Sequence, residues 1–264
     1  MRRTRGHAAL GAGGVALAWF GYLFLILPSL IVVPVSFGGG EELQFPPKSL
    51  SLELYARFFA DPAWWGAARQ SFIVATLTTL IALLLAVPAA YALARTRFRG
   101  RRFFELVVLA PMLTPVIVLG LGLYIDFGAL QLIGTTTSMV LAHSVLVVPF
   151  AFVAVTAGLR QIDPALETVS MVMGAGRARI FFEVVLPQIK APLMVAALFA
   201  FLISFDEVVV AYFLAGPKTT TLPVKMYSAI RWEISPVLAA VSTLLTAISL
   251  AVCLGMMALQ KRSP

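Results

Sequence analysis

The hydrophobic residues of this chain are concentrated in long, nearly uninterrupted blocks, and the shorter stretches between the blocks carry most of the charge. A helix needs about 20 predominantly apolar residues to cross a hydrocarbon core roughly 30 Å thick, because each residue adds about 1.5 Å. Six blocks reach this length. They predict spanning helices at about 16–36, 68–94, 104–126, 137–159, 191–213 and 236–259.

Four prolines lie inside the second, third and fourth blocks, namely Pro88, Pro111, Pro115 and Pro149. Each proline removes a backbone donor, and the freed carbonyl must be satisfied by a neighbouring helix or a water-filled cavity. We therefore expect kinks at these positions.

Lys and Arg residues between the blocks predict the orientation in the membrane, because cytoplasmic loops are enriched in them. Six spans place both termini and fourteen of the twenty basic residues on one side, which we predict to be the cytoplasm. These fourteen are Arg2, Arg3, Arg5, Arg95, Arg97, Arg99, Arg101, Arg102, Arg160, Arg177, Arg179, Lys190, Lys261 and Arg262. The arginines of 95–102 have a mainly topological role in this interpretation, with anionic lipid headgroups adding about 1 kcal/mol per charge.

Composition supports an integral membrane protein. Apolar residues make up 60% of the 264 residues and charged residues 12%, against about 45–50% and 25% in soluble domains. The net charge of +8 is explained by membrane orientation, so we expect membrane lipid and no nucleic acid among the partners.

A stretch of alternating aromatic and charged residues, 49–66, follows the first block. It predicts an amphipathic helix at the outer interface, with Trp64 and Trp65 at headgroup level. Two interpretations stay open, a membrane anchor without further function and a docking element for a soluble partner.

The segment 160–190 is long for a loop between spans, and it predicts two short helices. Asp163 and Pro164 are typical of a helix start, and Gly174 of a helix end. A second helix is predicted from about Arg177 to Val185, ending before Pro187. The first helix has an apolar face, which either packs on the chain's own spans or docks a cytoplasmic motor.

A resemblance favours the second alternative. The segment "DPALETVSMVMGAGRARIFFEVVLPQIKAPL" resembles the coupling loop of the permeases of binding-protein-dependent ABC importers. Aligned on Gly174, Leu186 and Pro187, the family's Glu-Ala-Ala-to-Leu-Pro spacing fits without a gap. "APMLTPVIVLGLGLY" and "SFDEVVVAYFLAGPKTTTLPVKMYSAIRWEISPVLAAVSTLL" are similar to the second permease subunit of spermidine/putrescine importers.

The resemblance implies an all-α, polytopic chain of six transmembrane helices with the type I ABC importer transmembrane fold, forming a single domain over 1–264. It also implies that the 160–190 loop couples to an ATPase subunit. The signature triplet is altered to Thr168-Val169-Ser170, and Glu167 lies one position early, so two options for Glu167 stay open: it replaces the missing carboxylate contact or it does not. The coupling residues are Glu167, Thr168, Val169, Ser170, Met173, Gly174, Ala175, Leu186 and Pro187.

Ionisable residues inside the predicted spans are candidates for the substrate path, since burial in a bilayer is costly for them. Asp206 and Glu207 are adjacent in the fifth span, and His143 lies in the fourth at a comparable depth. As neighbours on a helix point about 100° apart, we expect one carboxylate to line the path and the other to bond to His143 or a neighbouring helix. A purely structural pair is the alternative. Asp126 is either part of an entrance or a solvated helix end.

The chain has no phosphate-binding loop of the Gly-x-x-x-x-Gly-Lys-Ser/Thr type. We therefore expect a non-catalytic transport subunit. Because the chain has only two histidines and one cysteine, we also expect no metal site and no cofactor of its own. The resemblance implies a homologous permease, two ATPase subunits carrying ATP and Mg, and an extracytoplasmic solute-binding protein. It implies a cell inner-membrane location and a cationic polyamine cargo. Two alternatives are a permease for another small organic solute and an ion-driven secondary transporter.

Overall fold

The computed structural model describes residues 12–40, 43–233 and 235–260. Within these ranges the regular structure is helical, apart from an isolated β-bridge between Gly38 and Leu50. The arginines predicted for the N-terminal tail and the basic pair near the C-terminus lie outside the described residues. The helices are α1 Ala12–Ser36, α2 Glu53–Ala60, α3 Pro62–Arg95, α4 Arg101–Leu113, α5 Val116–Ala129, α6 Thr136–Leu159, α7 Ala165–Val172, α8 Arg177–Ile180, α9 Leu186–Gln188, α10 Lys190–Phe205, α11 Val209–Leu214, α12 Leu222–Ser228 and α13 Val237–Gln260. Two π-helical segments, Phe181–Val185 and Ala229–Glu233, follow α8 and α12.

Among the described residues, three helices are long and apolar enough to cross a membrane, namely α1, α3 and α6. Two further candidates are bent pairs. The axis turns by 103° between α4 and α5, and by 76° between the helical stretch 177–188 and α10. The sixth predicted block corresponds to α13. The number of spans in a bilayer stays a prediction.

The prolines of the third block explain one bend. α4 ends at Leu113, and Pro115 precedes α5. Because a residue before proline avoids the α conformation, Thr114 is extended (ψ 132°) and the helix breaks there. Pro88 and Pro149, by contrast, lie inside the continuous helices α3 and α6.

The chain divides into two compact units, one of residues 63–228 and one of residues 1–62 with 229–264. The larger unit contains a core drawn chiefly from α3, α6 and α10. Small residues at every fourth position of α3, Ala82, Ala86 and Ala90, are completely buried. Such residues let helices approach closely. At Gly158 of α6 the approach is so tight that a Cβ atom would overlap the ring of Pro192.

In the smaller unit α1 and α2 both pack on α13. The predicted single helix over 49–66 is wrong: α2 ends at Ala60, and α3 begins at Pro62. Asp61 between them is extended (ψ 110°) because it precedes a proline. The aromatic residues of this stretch are consequently divided between two helices.

The predicted stop before Pro187 is also wrong. The backbone stays helical from Arg177 to Gln188 because a π-helical segment, Phe181–Val185, precedes the proline. In a π-helical turn the hydrogen bonds span five residues, and Pro187 lies at the start of the next short helix, where its missing N–H is tolerated.

Candidate coupling segment and translocation site

The helix α7 has the start and the end that its sequence predicts. At the start, Asp163 Oδ1 accepts the N–H of Ala165 at 2.9 Å. At the end, Gly174 has a φ of +88°, a left-handed conformation that favours glycine. The N–H of Ala175 then donates to the carbonyl of Ser170 at 3.0 Å. These local signals define a short, separate helix between α6 and α8.

One face of α7 is apolar and exposed. Val172 and Met173 are 85% and 83% exposed, and Leu166 and Val169 are also exposed. The interpretation in which this face packs on the chain's own helices is therefore wrong for the described residues. A cleft of about 260 Å³ lies beside it, between α7 and the helical stretch that follows. Its lining residues are Ser170, Met173, Gly174, Ala175, Arg179, Ile180, Glu183 and Val184.

The other predicted coupling residues differ in exposure. Thr168 is exposed, and Ser170 is half-buried and donates to the carbonyl of Leu166. Further along, Leu186 is half-buried and Pro187 is exposed.

Glu167 differs from its neighbours, because it points inward. It is 7% exposed. Its two oxygens accept hydrogen bonds from Arg95 Nε at 2.6 Å and from the Tyr91 hydroxyl at 2.8 Å. Both oxygens of Glu167 are therefore bonded within its own chain in this structure, and neither is free to contact a partner directly.

The acidic pair of the predicted fifth span lies at a break in the helix. α10 ends at Phe205, and α11 begins at Val209. The expectation of two carboxylates on one continuous helix is therefore wrong. The break has a physical cause: Glu207 Oε1 and Oε2 accept the N–H groups of Val210 and Ala211 at 2.9 and 2.8 Å. This cap satisfies donors that a helix start leaves free.

The break separates the environments of the two carboxylates. Asp206 is exposed, whereas Glu207 is 8% exposed. His143 of α6 is fully buried, with Nε2 3.7 Å from Glu207 Oε2 and Nδ1 2.9 Å from the Ser204 hydroxyl. His143 and Glu207 thus lie close together, as their similar predicted depth suggested. Asp206 forms no ion pair within the described residues.

Asp126 lies in the last turn of α5 and is exposed. Its helix packs closely on α11, since a Cβ at Gly120 would lie 2.9 Å from the ring of Phe213. Among the contacts found in the described ranges, none joins Asp126 to His143 or Glu207. The structure therefore brings together His143 and Glu207 but does not add Asp126 to that cluster.

Sequence reasoning missed three residues of these sites, Ser204, Tyr91 and Arg95. Ser204 lies in the last turn of α10, and a serine in an apolar block is a weak signal. Tyr91 and Arg95 are separated from Glu167 by 76 and 72 positions, so no local pattern connects them. The i, i+4 spacing of Tyr91 and Arg95 on α3 was the available clue that they share a face.

Comparisons with known proteins agree with this architecture. The family model "Binding-protein-dependent transport system inner membrane component" matches residues 82–263. The chain is 31% identical to the putrescine transport system permease protein PotI of Escherichia coli (strain K12), over 88% of this chain and 84% of that protein. It is 28% identical to the spermidine/putrescine transport system permease protein PotC of the same organism, over 90% and 89%.

A solved structure is similar in fold. It is the crystal structure of a bacterial ABC transporter involved in the import of the acidic polysaccharide alginate, with a TM-score of 0.74, 17% identity and complete coverage of both chains. At this identity the likeness concerns the fold alone.

Proposed function

Because the chain belongs to the family of binding-protein-dependent transport system inner membrane components, we propose that it is one permease subunit of an ABC importer for a small cationic polyamine, such as putrescine or spermidine. The observation that carries this proposal is the match to PotI and PotC along most of the chain. The permease role rests on family membership. The cargo rests on the names of those two relatives and on the charge of the candidate path.

The proposed path is lined by Asp206. Its carboxylate is exposed and has no ion pair among the described residues. A carboxylate of this kind offsets part of the desolvation of a cationic cargo. The buried group formed by Glu207, His143 and Ser204 stabilises the break between α10 and α11, next to Asp206. We assign Asp126 to the entrance of the same path.

The proposed contact with the ATPase is the exposed apolar face of α7. A face carrying Val172 and Met173 at more than four-fifths exposure needs a partner to exclude water from it. In this proposal each permease of a heteromeric pair docks one of two ATPase subunits, which hold ATP and Mg, and an extracytoplasmic binding protein delivers the cargo. The chain itself forms no covalent bond with the cargo or ATP.

Two alternatives differ in cargo or in energy source. A permease for another small organic solute keeps the same subunits and changes only what the binding protein captures. An ion-driven secondary transporter would use His143, Asp206 and Glu207 as a proton relay. Family membership favours the importer, and the capping bonds of Glu207 give that carboxylate a structural task.

The experiment is reconstitution of the complete importer in proteoliposomes, with uptake of radiolabelled putrescine as the readout. We expect uptake to require ATP inside the vesicle and the binding protein outside it. Asp206→Asn should lower the initial rate about tenfold, because it removes the exposed charge and keeps the size of the side chain.

The matched control is Glu53→Gln, which neutralises an exposed carboxylate paired with Arg57 on α2 and should leave the rate unchanged. Uptake by this chain without an ATPase would overturn the importer proposal. Capture of an anion or a neutral sugar by the binding protein would overturn the cargo assignment. An unchanged rate in Asp206→Asn would remove that residue from the path.

A further inference from the structure

Arg95 stands apart from the basic group that surrounds it. Residues 95–102 hold five arginines, and all five are described. Arg97, Arg99, Arg101 and Arg102 are exposed, as a topological role requires. The Arg95 side chain is only 16% exposed. A guanidinium withdrawn from water in this way needs hydrogen-bonding partners. Those partners show which segments of the chain Arg95 connects.

The partners of Arg95 belong to two other segments. Its Nε donates to Glu167 Oε1 of α7 at 2.6 Å. Its Nη2 approaches the carbonyl oxygens of Leu159 and Ile162 at 3.4 Å each. These carbonyls lie at the end of α6 and in the turn that leads to α7, where the free C=O groups of a helix end attract a cation. A single side chain of α3 thus contacts both α7 and the connection that leads to it.

Tyr91, one turn earlier on α3, completes the arrangement. Its hydroxyl donates to the second oxygen of Glu167 at 2.8 Å. Its ring packs edge-to-face on Phe181, with centroids 5.1 Å apart and planes at 61°. Phe181 begins the π-helical segment that follows α8. Tyr91 and Arg95 therefore contact the coupling segment at two points, Glu167 in α7 and Phe181 after α8.

The ion pair is well placed to resist separation. The Arg95 and Glu167 side chains are 16% and 9% exposed, so solvent screens the pair weakly. Removing either partner leaves the other withdrawn from water and unpaired, which is worse than losing the contact itself. The two single substitutions should therefore have large effects.

We propose that Arg95 and Tyr91 are positioning residues that fasten the coupling segment to the end of α3 through Glu167. This inference rests on the proposed function. Displacement of α7 by an ATPase would then reach α3 directly through the Arg95–Glu167 pair, and it would reach α6 along the chain through the turn 160–164. Glu167 acts inside the permease, and the ATPase meets the opposite face of the same helix.

The first test measures coupling in the complete importer in proteoliposomes, as ATP hydrolysed per putrescine taken up. Arg95→Gln and Glu167→Gln should each raise this ratio about tenfold. Tyr91→Phe keeps the ring packing and removes one hydrogen bond, so its effect should be smaller. Arg97→Gln, the exposed control two residues away, should leave the ratio unchanged.

The second test does not depend on the cargo. Spin labels on Phe98→Cys and Ala165→Cys, in a Cys253→Ser background, report the distance between the connection that follows α3 and the start of α7 in the assembled complex. The distribution should be narrow with the native pair and with Arg97→Gln, and at least twice as broad with Glu167→Gln. A failure of putrescine uptake in the wild type would count against the proposed function and leave this measurement intact.

Assembled variants with an unchanged coupling ratio and an unchanged distance distribution would overturn the proposal. If Arg95→Gln does not assemble, Arg95→Lys takes its place, because lysine keeps the charge and loses the forked donor geometry. Arg95→Lys and Tyr91→Phe should then show a raised ratio and a broadened distribution. Wild-type values in both variants would overturn the proposal equally.

Discussion

The carboxylate of Glu207 caps the backbone of α11 and also lies close to His143 of α6. Its oxygens accept two N–H groups of α11 and one of them lies 3.7 Å from His143 of α6. A carboxylate in an apolar segment normally signals a transport path. Here the buried member of the acidic pair has a structural environment, and only the exposed Asp206 is assigned to the proposed cargo path.

Glu207→Ala should destabilise the larger unit. It removes both capping bonds and leaves two N–H groups without their acceptor, at about 1–3 kcal/mol. For a chain of this size we expect the midpoint of thermal unfolding in detergent to fall by about 2–10 °C. Asp206→Ala is the control, since it deletes the adjacent exposed carboxylate and should shift the midpoint by less than about 2 °C. Equal shifts in the two variants would contradict the division of roles.

The sequence identifies His143, Asp206 and Glu207 as ionisable residues in apolar blocks, but it does not assign their roles. The sequence predicts that His143 and the acidic pair lie at similar depth, and the observed contact with Glu207 confirms that the two can pair. It does not predict which carboxylate is buried. That depends on the break after Phe205, which no proline or glycine marks and which the cap by Glu207 itself stabilises.

Among the helices, α7 is the element that local sequence signals describe best. Its start at Asp163 and its end at Gly174 both follow from short-range hydrogen bonding. The path of the chain after Gly174 is less predictable, because the π-helical segment before Pro187 is a response to packing and to the missing proline N–H. The same limit applies to α4 and α5: their prolines predict a bend, and the packing around them sets it at 103°.

Gly174→Ala tests whether the end of α7 matters for coupling. Neither Gly174 nor Gly176 has a neighbouring atom within 4 Å of an added Cβ, but Gly174 alone of these two has a positive φ, at +88°. Alanine at Gly174 should therefore strain the backbone by about 1–2 kcal/mol without a clash. We expect ATP-driven uptake to fall about two- to fivefold in Gly174→Ala, with normal amounts of protein in the membrane.

Gly176→Ala is the matched control, because it adds the same methyl group two residues away at a φ of −71°. Its uptake should equal that of the wild type. If both variants transport normally, the left-handed end of α7 is not needed for coupling. If both fail alike, the added methyl group itself is responsible rather than the backbone conformation.

At the scale of the whole chain, the path of the bent pair α4–α5 determines on which side of the membrane the later basic residues lie. If that pair crosses the membrane as one broken span, 160–190 is cytoplasmic with the other basic loops. If the pair enters and leaves on one side, every later segment changes sides. Arg160, Arg177, Arg179, Lys190, Lys261 and Arg262 would then be outside, against the preference of basic residues for the cytoplasm.

Reporter fusions distinguish these topologies. Alkaline phosphatase needs disulfides and is active only outside the cytoplasm, so fusions after Lys48, Ile133 and Lys218 should be active, and fusions after Arg99 and at the C-terminus inactive. The fusion after Ile133 is decisive, because it follows the bent pair directly. Activity there, with an inactive C-terminal fusion, would place α7 on the cytoplasmic side, where the proposed ATPase docks. An inactive fusion after Ile133, with an active one at the C-terminus, would put the coupling segment outside and contradict both the proposed docking face and the transmission of its movement through Arg95.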